Sequence, residues 1–207
     1  MTGLFLTLEG IDGAGKSTHV DFIRDWLTAR GIDVVVTREP GGTPLGEALR
    51  TLLLDVKSDI SLDTETLLMF AARQAHVDGV IRPALAAGRW VLSDRFTDAT
   101  FAYQGGGRGV PFERIAELER WVQRDLKVDR TFLFDISPDV ARARMSATRT
   151  LDRFEREREA FHQRVRNAYL SRAEADIERI RVLDAELPVA TLQAELARDL
   201  GRLLERR

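Results

Sequence analysis

The sequence predicts an α/β protein built on a five-stranded parallel sheet flanked by helices, and two observations carry that expectation. Short apolar, β-compatible runs alternate along the chain with longer segments of helical periodicity. Right-handed crossovers turn that pattern into a parallel sheet. The first run, residues 4–8, leads straight into Gly10-Ile11-Asp12-Gly13-Ala14-Gly15-Lys16-Ser17, which fits the pattern G-x-x-x-x-G-K-[ST] in full. After this loop Val20, Ile23 and Leu27 share one helix face, and the helix runs to about Arg30, where Gly31 suits a C-terminal cap. Residues 32–37 read as a second strand centred on Val34-Val35-Val36. Arg38-Glu39-Pro40-Gly41-Gly42-Thr43 then breaks regular structure.

Residues 45–54 and 62–87 are helical by pattern, with Pro83 a kink or break. Trp90-Val91-Leu92 is a third strand that ends at Ser93-Asp94-Arg95. Gly105-Gly106-Gly107 read as a loop before a helix at about 112–124. Residues 131–134 make the fourth strand, and 139–145 begin another helix. A polar segment with several arginines covers about 146–155, and a long charged helix follows to about Ala175. Residues 180–183 are the fifth strand and 191–204 a last helix. Functional groups are expected at the strands' C-terminal ends.

The 207 residues show no linker, repeat or change of composition, so one domain over 1–207 is expected, with a lid at about 146–155. An apolar share of 44% beside 31% charged residues suits a soluble globular chain. A net charge of −2 argues against nonspecific nucleic-acid binding. The absence of cysteine removes disulfides and thiolate metal sites. The first residues lack a signal-peptide pattern, and no apolar run approaches the ~20 residues that span a bilayer. The expectation is a cytoplasmic protein with no membrane and no nucleic-acid partner.

A strand, a glycine loop and a helix turn backbone N–H groups toward phosphate. The loop therefore predicts a nucleoside triphosphate site spanning Gly10 to Thr18, in which Lys16 reaches the β- and γ-phosphates and Ser17 holds Mg²⁺. Asp12 inside the loop suits a metal or a substrate hydroxyl, or is a solvated loop residue. Asp94, after the third strand, either orients Mg²⁺ or caps the next segment. Arg38 and Arg95 stand at two strand ends beside the loop, as a second phosphate site requires. Arg142, Arg144, Arg149 and Arg153 suit a flap that neutralises transition-state charge, or a solvated helix turn.

In these blocks the chain resembles the bacterial thymidylate kinase family. They are the loop from Glu9 to Thr18, Thr37-Arg38-Glu39-Pro40-Gly41-Gly42-Thr43, Phe70-Ala71-Ala72-Arg73, Ser93-Asp94-Arg95-Phe96 and Ala102-Tyr103-Gln104-Gly105-Gly106-Gly107-Arg108-Gly109. The resemblance covers essentially the whole chain. It implies a P-loop nucleotide kinase that transfers the ATP γ-phosphoryl group to dTMP with Mg²⁺, giving dTDP and ADP for dTTP synthesis. It implies that Phe70 stacks on thymine, although by pattern alone core packing fits Phe70 equally well. Arg73 would bond a thymine carbonyl, and Thr100 would reach the base's other polar edge. Tyr103 would crowd the sugar 2′ position, with Gln104 in the same pocket. Arg95 would hold the acceptor phosphate beside Arg38, Glu39 and Pro40, and Asp12 would sit near the 3′-hydroxyl and the metal. Asp184-Ala185 would touch adenine, and Arg149 and Arg153 lead as the lid arginines that reach the transferred phosphoryl. A homodimer through the apolar faces of residues 62–87 and 112–124 is also implied.

Alternatives from the residues are another small P-loop nucleoside or nucleotide kinase and a non-catalytic ATP-binding module. Phe70-Ala71-Ala72-Arg73 with Tyr103-Gln104 favours thymidylate as acceptor.

Overall fold

A computed structural model of the chain describes residues 3–55, 59–146 and 159–205. The strands β1 (Phe5–Glu9), β2 (Val34–Arg38), β3 (Trp90–Asp94), β4 (Arg130–Asp135) and β5 (Ile180–Asp184) form one parallel sheet in the order β2-β3-β1-β4-β5. Both faces of the sheet are covered, which is why the strands read as nearly continuous apolar runs. Leu6 and Leu8 of β1 join a core with Leu92, Phe132 and Phe134, while Phe5 turns to the other face with Val91 and Phe96. Buried Thr7 and Thr131 satisfy each other across the ladder, with their hydroxyl oxygens 2.8 Å apart.

The helices follow the expected order. They are α1 (Lys16–Thr28), α2 (Pro44–Leu54), α3 (Leu62–His76), α4 (Arg82–Ala86), α5 (Thr97–Thr100), α6 (Phe112–Gln123), α7 (Pro138–Ser146), α8 (Glu159–Ala175) and α9 (Val189–Glu205). Local chemistry sets two of the starts. Thr43 accepts from the Gly46 N–H at 3.0 Å ahead of Pro44, and Ser61 accepts from the Thr64 N–H at 3.1 Å. Gly31 lies just past α1 with φ 74°, as a C-terminal stop requires.

The structure corrects two readings. The helix over 62–87 is not merely kinked at Pro83. It widens into a π-helical stretch at Val77–Ile81, and Pro83 falls in α4, which continues that stretch without a break. Gly105-Gly106-Gly107 is not an open loop either. It closes a π-helical stretch, Phe101–Gly107, continuous with α5. The glycines serve close approach there. A Cβ at Gly106 would lie 2.4 Å from the Ala168 Cβ, and one at Gly107 would lie 2.5 Å from the Phe161 ring. Helix α8 therefore lies directly on this stretch and carries Tyr169 to the sheet's C-terminal edge.

That edge concentrates polar residues. The five strands end at Glu9, Arg38, Asp94, Asp135 and Asp184. The ladder continues one residue further on two strands, through Glu39 N–H to Asp94 O and Arg95 N–H to Leu8 O, both at 2.9 Å. Glu39 and Arg95 are thus placed by backbone pairing and not by loop conformation.

Candidate active site

Two glycines shape the phosphate loop. Gly10 has φ 134°, and a Cβ there would lie 2.5 Å from Phe134 O; Gly13 has φ 84° and would meet Ala141 O at 2.5 Å. Lys16, at the start of α1, is buried and donates to Gly10 O at 3.0 Å and Ile11 O at 3.1 Å. Burial and Arg95 pull its pKa down, against the nearby carboxylates of Asp94, Asp12 and Glu9. Ser17 and Thr18 are exposed at the helix N-terminus.

Arg95 lies at the centre of a polar network. Its backbone is left-handed, φ 70°, a strained conformation for a residue with a side chain. Its Nη2 donates to Asp12 Oδ1 at 2.7 Å and to the Tyr103 hydroxyl at 3.0 Å, and its Nη1 donates to the Tyr169 hydroxyl at 3.2 Å. Tyr103 donates to Asp12 Oδ2 at 3.0 Å. Burial opposes charge on Asp12, but Arg95, Lys16 and the Tyr103 hydrogen bond outweigh it and hold the carboxyl below the usual range. Both Asp12 oxygens are engaged by these partners.

Behind Arg95, Tyr169 donates to Glu9 Oε2 at 2.8 Å, and the Phe96 N–H donates to Glu9 Oε1 at 2.7 Å. Burial, and secondly the charge on Asp98, push Glu9 up to about 8. A raised carboxyl pKa makes the folded chain hold a proton that the unfolded chain has released. Its stabilising contribution is fully present below the unfolded value of 4.5 and is lost as pH rises through about 8. Glu9→Gln is expected to flatten this decline. Urea midpoints at pH 5.5 and pH 8.5 check it, and an unaltered pH slope in the variant would refute the assignment.

A cavity opens beside Arg95, lined among others by Glu39, Pro40, Met69, Arg73, Thr100, Tyr103 and Gln104. One end is a buried ionic cluster. Glu39, 5% exposed, accepts from Arg73 Nε at 2.8 Å and pairs with His76 Nδ1 at 2.9 Å; His76 Nε2 meets the Thr37 hydroxyl at 2.7 Å. Arg73 Nη2 donates to Phe96 O at 3.2 Å and to Thr100 Oγ1 at 2.9 Å. The fourth direction is different. Arg73 Nη1 is buried and has no hydrogen-bond partner among the described residues.

Most of the residues picked out in the sequence converge here, and the structure relocates two. Phe70 does not line the cavity. It is 2% exposed, packs with Phe101, Val110 and Ile115, and lies 4.7 Å under the Arg73 guanidinium. One residue along a helix is a 100° rotation, and that rotation gives the cavity to Met69 instead. Arg38 also stands outside the cavity lining. It is half-exposed and pairs with Glu47 of α2 at 2.9 Å, while Arg50 lines the cavity and donates to Pro40 O at 2.9 Å. Arg50 has no signal in the sequence, because only the packing of α2 against the 38–43 turn brings it in.

Asp94 Oδ1 is buried and has no hydrogen-bond partner among the described residues. Asp184 Oδ1 accepts from the Glu186 N–H at 3.0 Å. Ala185 bonds Asp135 O through its N–H at 2.8 Å and accepts from Arg144 Nη1 at 3.0 Å, so this turn is tied to β4 and α7. Arg149 and Arg153 lie outside the described residues, as does most of the expected lid.

A parallel sheet with a phosphate loop after its central strand, facing a second cavity that holds an arginine at a strand end, defines a P-loop nucleotide kinase. Comparison with known proteins agrees. A family model described as Thymidylate kinase matches residues 8–196. Thymidylate kinase of Chromobacterium violaceum is 63% identical over 99% of this chain and 96% of its own length. That of Thiobacillus denitrificans is 59% identical over 98% of each chain. The crystal structure of thymidylate kinase from Ehrlichia chaffeensis matches with a TM-score of 0.78 at 32% identity, over 97% of this chain and 99% of that one. The chain belongs to the thymidylate kinase family.

Proposed function

We propose that the chain transfers the γ-phosphoryl group of ATP to dTMP, giving ADP and dTDP. The observation that carries the acceptor assignment is Arg73, which lines the cavity and whose buried Nη1 has no hydrogen-bond partner among the described residues, while its other nitrogens are held by Glu39 and Thr100. A buried donor without an acceptor is costly, and the 4-carbonyl oxygen of thymine satisfies it where the amino group of cytosine does not. Gln104 donates its Nε2 to Glu65 at 3.0 Å, which leaves its carbonyl to accept the base N3–H. Met69 supplies an apolar, polarizable platform for the ring. Tyr103 stands beside Arg95, where its ring restricts the sugar's 2′ side.

The acceptor is a phosphate monoester, largely ionised at neutral pH, so it attacks without a general base. Catalysis then rests on position and charge. Arg95 and Arg50 hold the acceptor phosphate, and Lys16 and the loop N–H groups hold the donor phosphates. The residues present suit Mg²⁺. A metal with few protein ligands and several waters fits the exposed Ser17 hydroxyl and the unpartnered Asp94 Oδ1. Bound there, Mg²⁺ supplies charge neutralisation at the phosphates. Asp12, with both oxygens engaged, serves instead to orient Arg95 and Tyr103.

The test is ADP formation from Mg-ATP with dTMP, dUMP, dCMP, AMP, GMP and thymidine offered separately. High turnover with dTMP and weaker turnover with dUMP is expected. Turnover with thymidine or a purine monophosphate in place of dTMP would overturn the acceptor reading, and no turnover with any of them would leave an ATP-binding module.

The family resemblance also supports a homodimer through α3 and α6, where Leu67 is 56% and Trp121 is 73% exposed. Trp121→Arg is expected to raise the dimer dissociation constant at least tenfold in sedimentation equilibrium; an unchanged constant would move the interface elsewhere.

A further inference from the structure

We propose that Glu65 is a positioning residue that fixes the orientation of the Gln104 amide and so decides which edge of a base the cavity accepts. This rests on the dTMP kinase reading above. Glu65 is wholly buried in the first turn of α3 and does not line the cavity. Its Oε1 accepts from Gln104 Nε2 at 3.0 Å and lies 3.2 Å from Arg108 Nε. Gln104 is 1% exposed and does line the cavity.

A primary amide has a donor end and an acceptor end of nearly the same shape, and packing alone does not choose between its two orientations. A carboxylate accepts only. Opposite Glu65, the flipped amide would set oxygen against oxygen at hydrogen-bond distance in a buried site. The carboxylate therefore admits one orientation, with Nε2 toward α3 and Oε1 left over. Nothing among the described residues donates to that Oε1. The group presented to the ligand is a carbonyl, which accepts an imide N–H and repels the ring lone pair that cytosine has at the same position. Arg108 ties Glu65 to the end of the π-helical stretch that carries Gln104, so the carboxylate keeps its place relative to the amide.

Glu65→Gln tests this, because a glutamine both donates and accepts and permits either orientation of Gln104. The reciprocal swap, Glu65→Gln with Gln104→Glu, makes the cavity residue acceptor-only again. Steady-state kinetics with dTMP and dCMP are measured for wild type and both variants. Glu65→Gln is expected to raise KM for dTMP with kcat within about twofold, and to lower the dTMP-to-dCMP ratio of kcat/KM at least tenfold; the swap is expected to restore that ratio. A ratio within twofold of wild type in Glu65→Gln overturns the proposal. So does a parallel loss of kcat with both substrates that the swap does not repair, which is the signature of packing alone. If Glu65→Gln does not fold, the swap carries the test: dTMP preference supports the proposal and its loss in a folded protein overturns it. Wild type inert toward dTMP would instead refute the function reading beneath it.

Discussion

Replacing Lys16 by alanine is expected to lower turnover by about 10²–10³-fold, the usual effect of removing one preorganised donor from developing charge. The fold should tolerate the change. The Lys16 ammonium donates to Gly10 O and Ile11 O, two carbonyls of a loop whose following residues Gly15 and Ser17 are exposed. Its loss removes one countercharge from Asp12, which keeps its ion pair with Arg95 at 2.7 Å. The reading is steady-state kinetics with Mg-ATP and dTMP beside a thermal melt. A melting temperature within a few degrees of wild type, with turnover nearly abolished, separates catalysis from stability. Turnover within tenfold of wild type would refute the role given to the phosphate loop.

Arg73→Ala should do the opposite and act first on stability. The Arg73–Glu39 pair is nearly inaccessible to water, at 3% and 5% exposure. Removing one member of a buried pair leaves the other without its countercharge, which typically costs about 3–5 kcal/mol. His76 remains beside Glu39 but supplies a single contact, through Nδ1. The change also strips a donor from Phe96 O and Thr100, and removes the guanidinium from above the Phe70 ring. Urea unfolding measures it. A loss below about 1 kcal/mol would mean that Glu39 finds another partner. Arg73→Lys keeps a charge but not the forked geometry, so it is expected to recover part of the stability and little of the dTMP affinity.

The contrast between these two residues shows what a sequence reveals. Lys16 was legible because its loop is a local object. Seven neighbours in one stretch set its conformation, and the spacing alone states its role. The sheet was legible for a related reason, since the β-branched run at Val34-Val35-Val36 and the crossover lengths are local too. Arg73 is placed by resemblance, but its partners Glu39 and Thr100 come from a strand end and a separate helix, and no spacing connects them. The motif points to Phe70 and the cavity takes Met69, because the helical phase is fixed by how α3 lies on α6. Gly105-Gly106-Gly107 looked like a loop because glycine is a poor helix former. The close approach of α8 overrides that preference. Glu65 and Arg50 carry no local signature at all.

Arg95 shows how chemistry can set itself against folding at one residue. With φ 70° it occupies backbone space that suits glycine, yet glycine has no guanidinium to offer Asp12, Tyr103 and Tyr169. Any other side chain inherits the steric penalty. Arg95→Ala and Arg95→Gly lose the same three contacts, but only the glycine variant relaxes the backbone. The gap between their stabilities, of order 1 kcal/mol, therefore measures the sacrifice that the protein makes to keep an arginine at this turn.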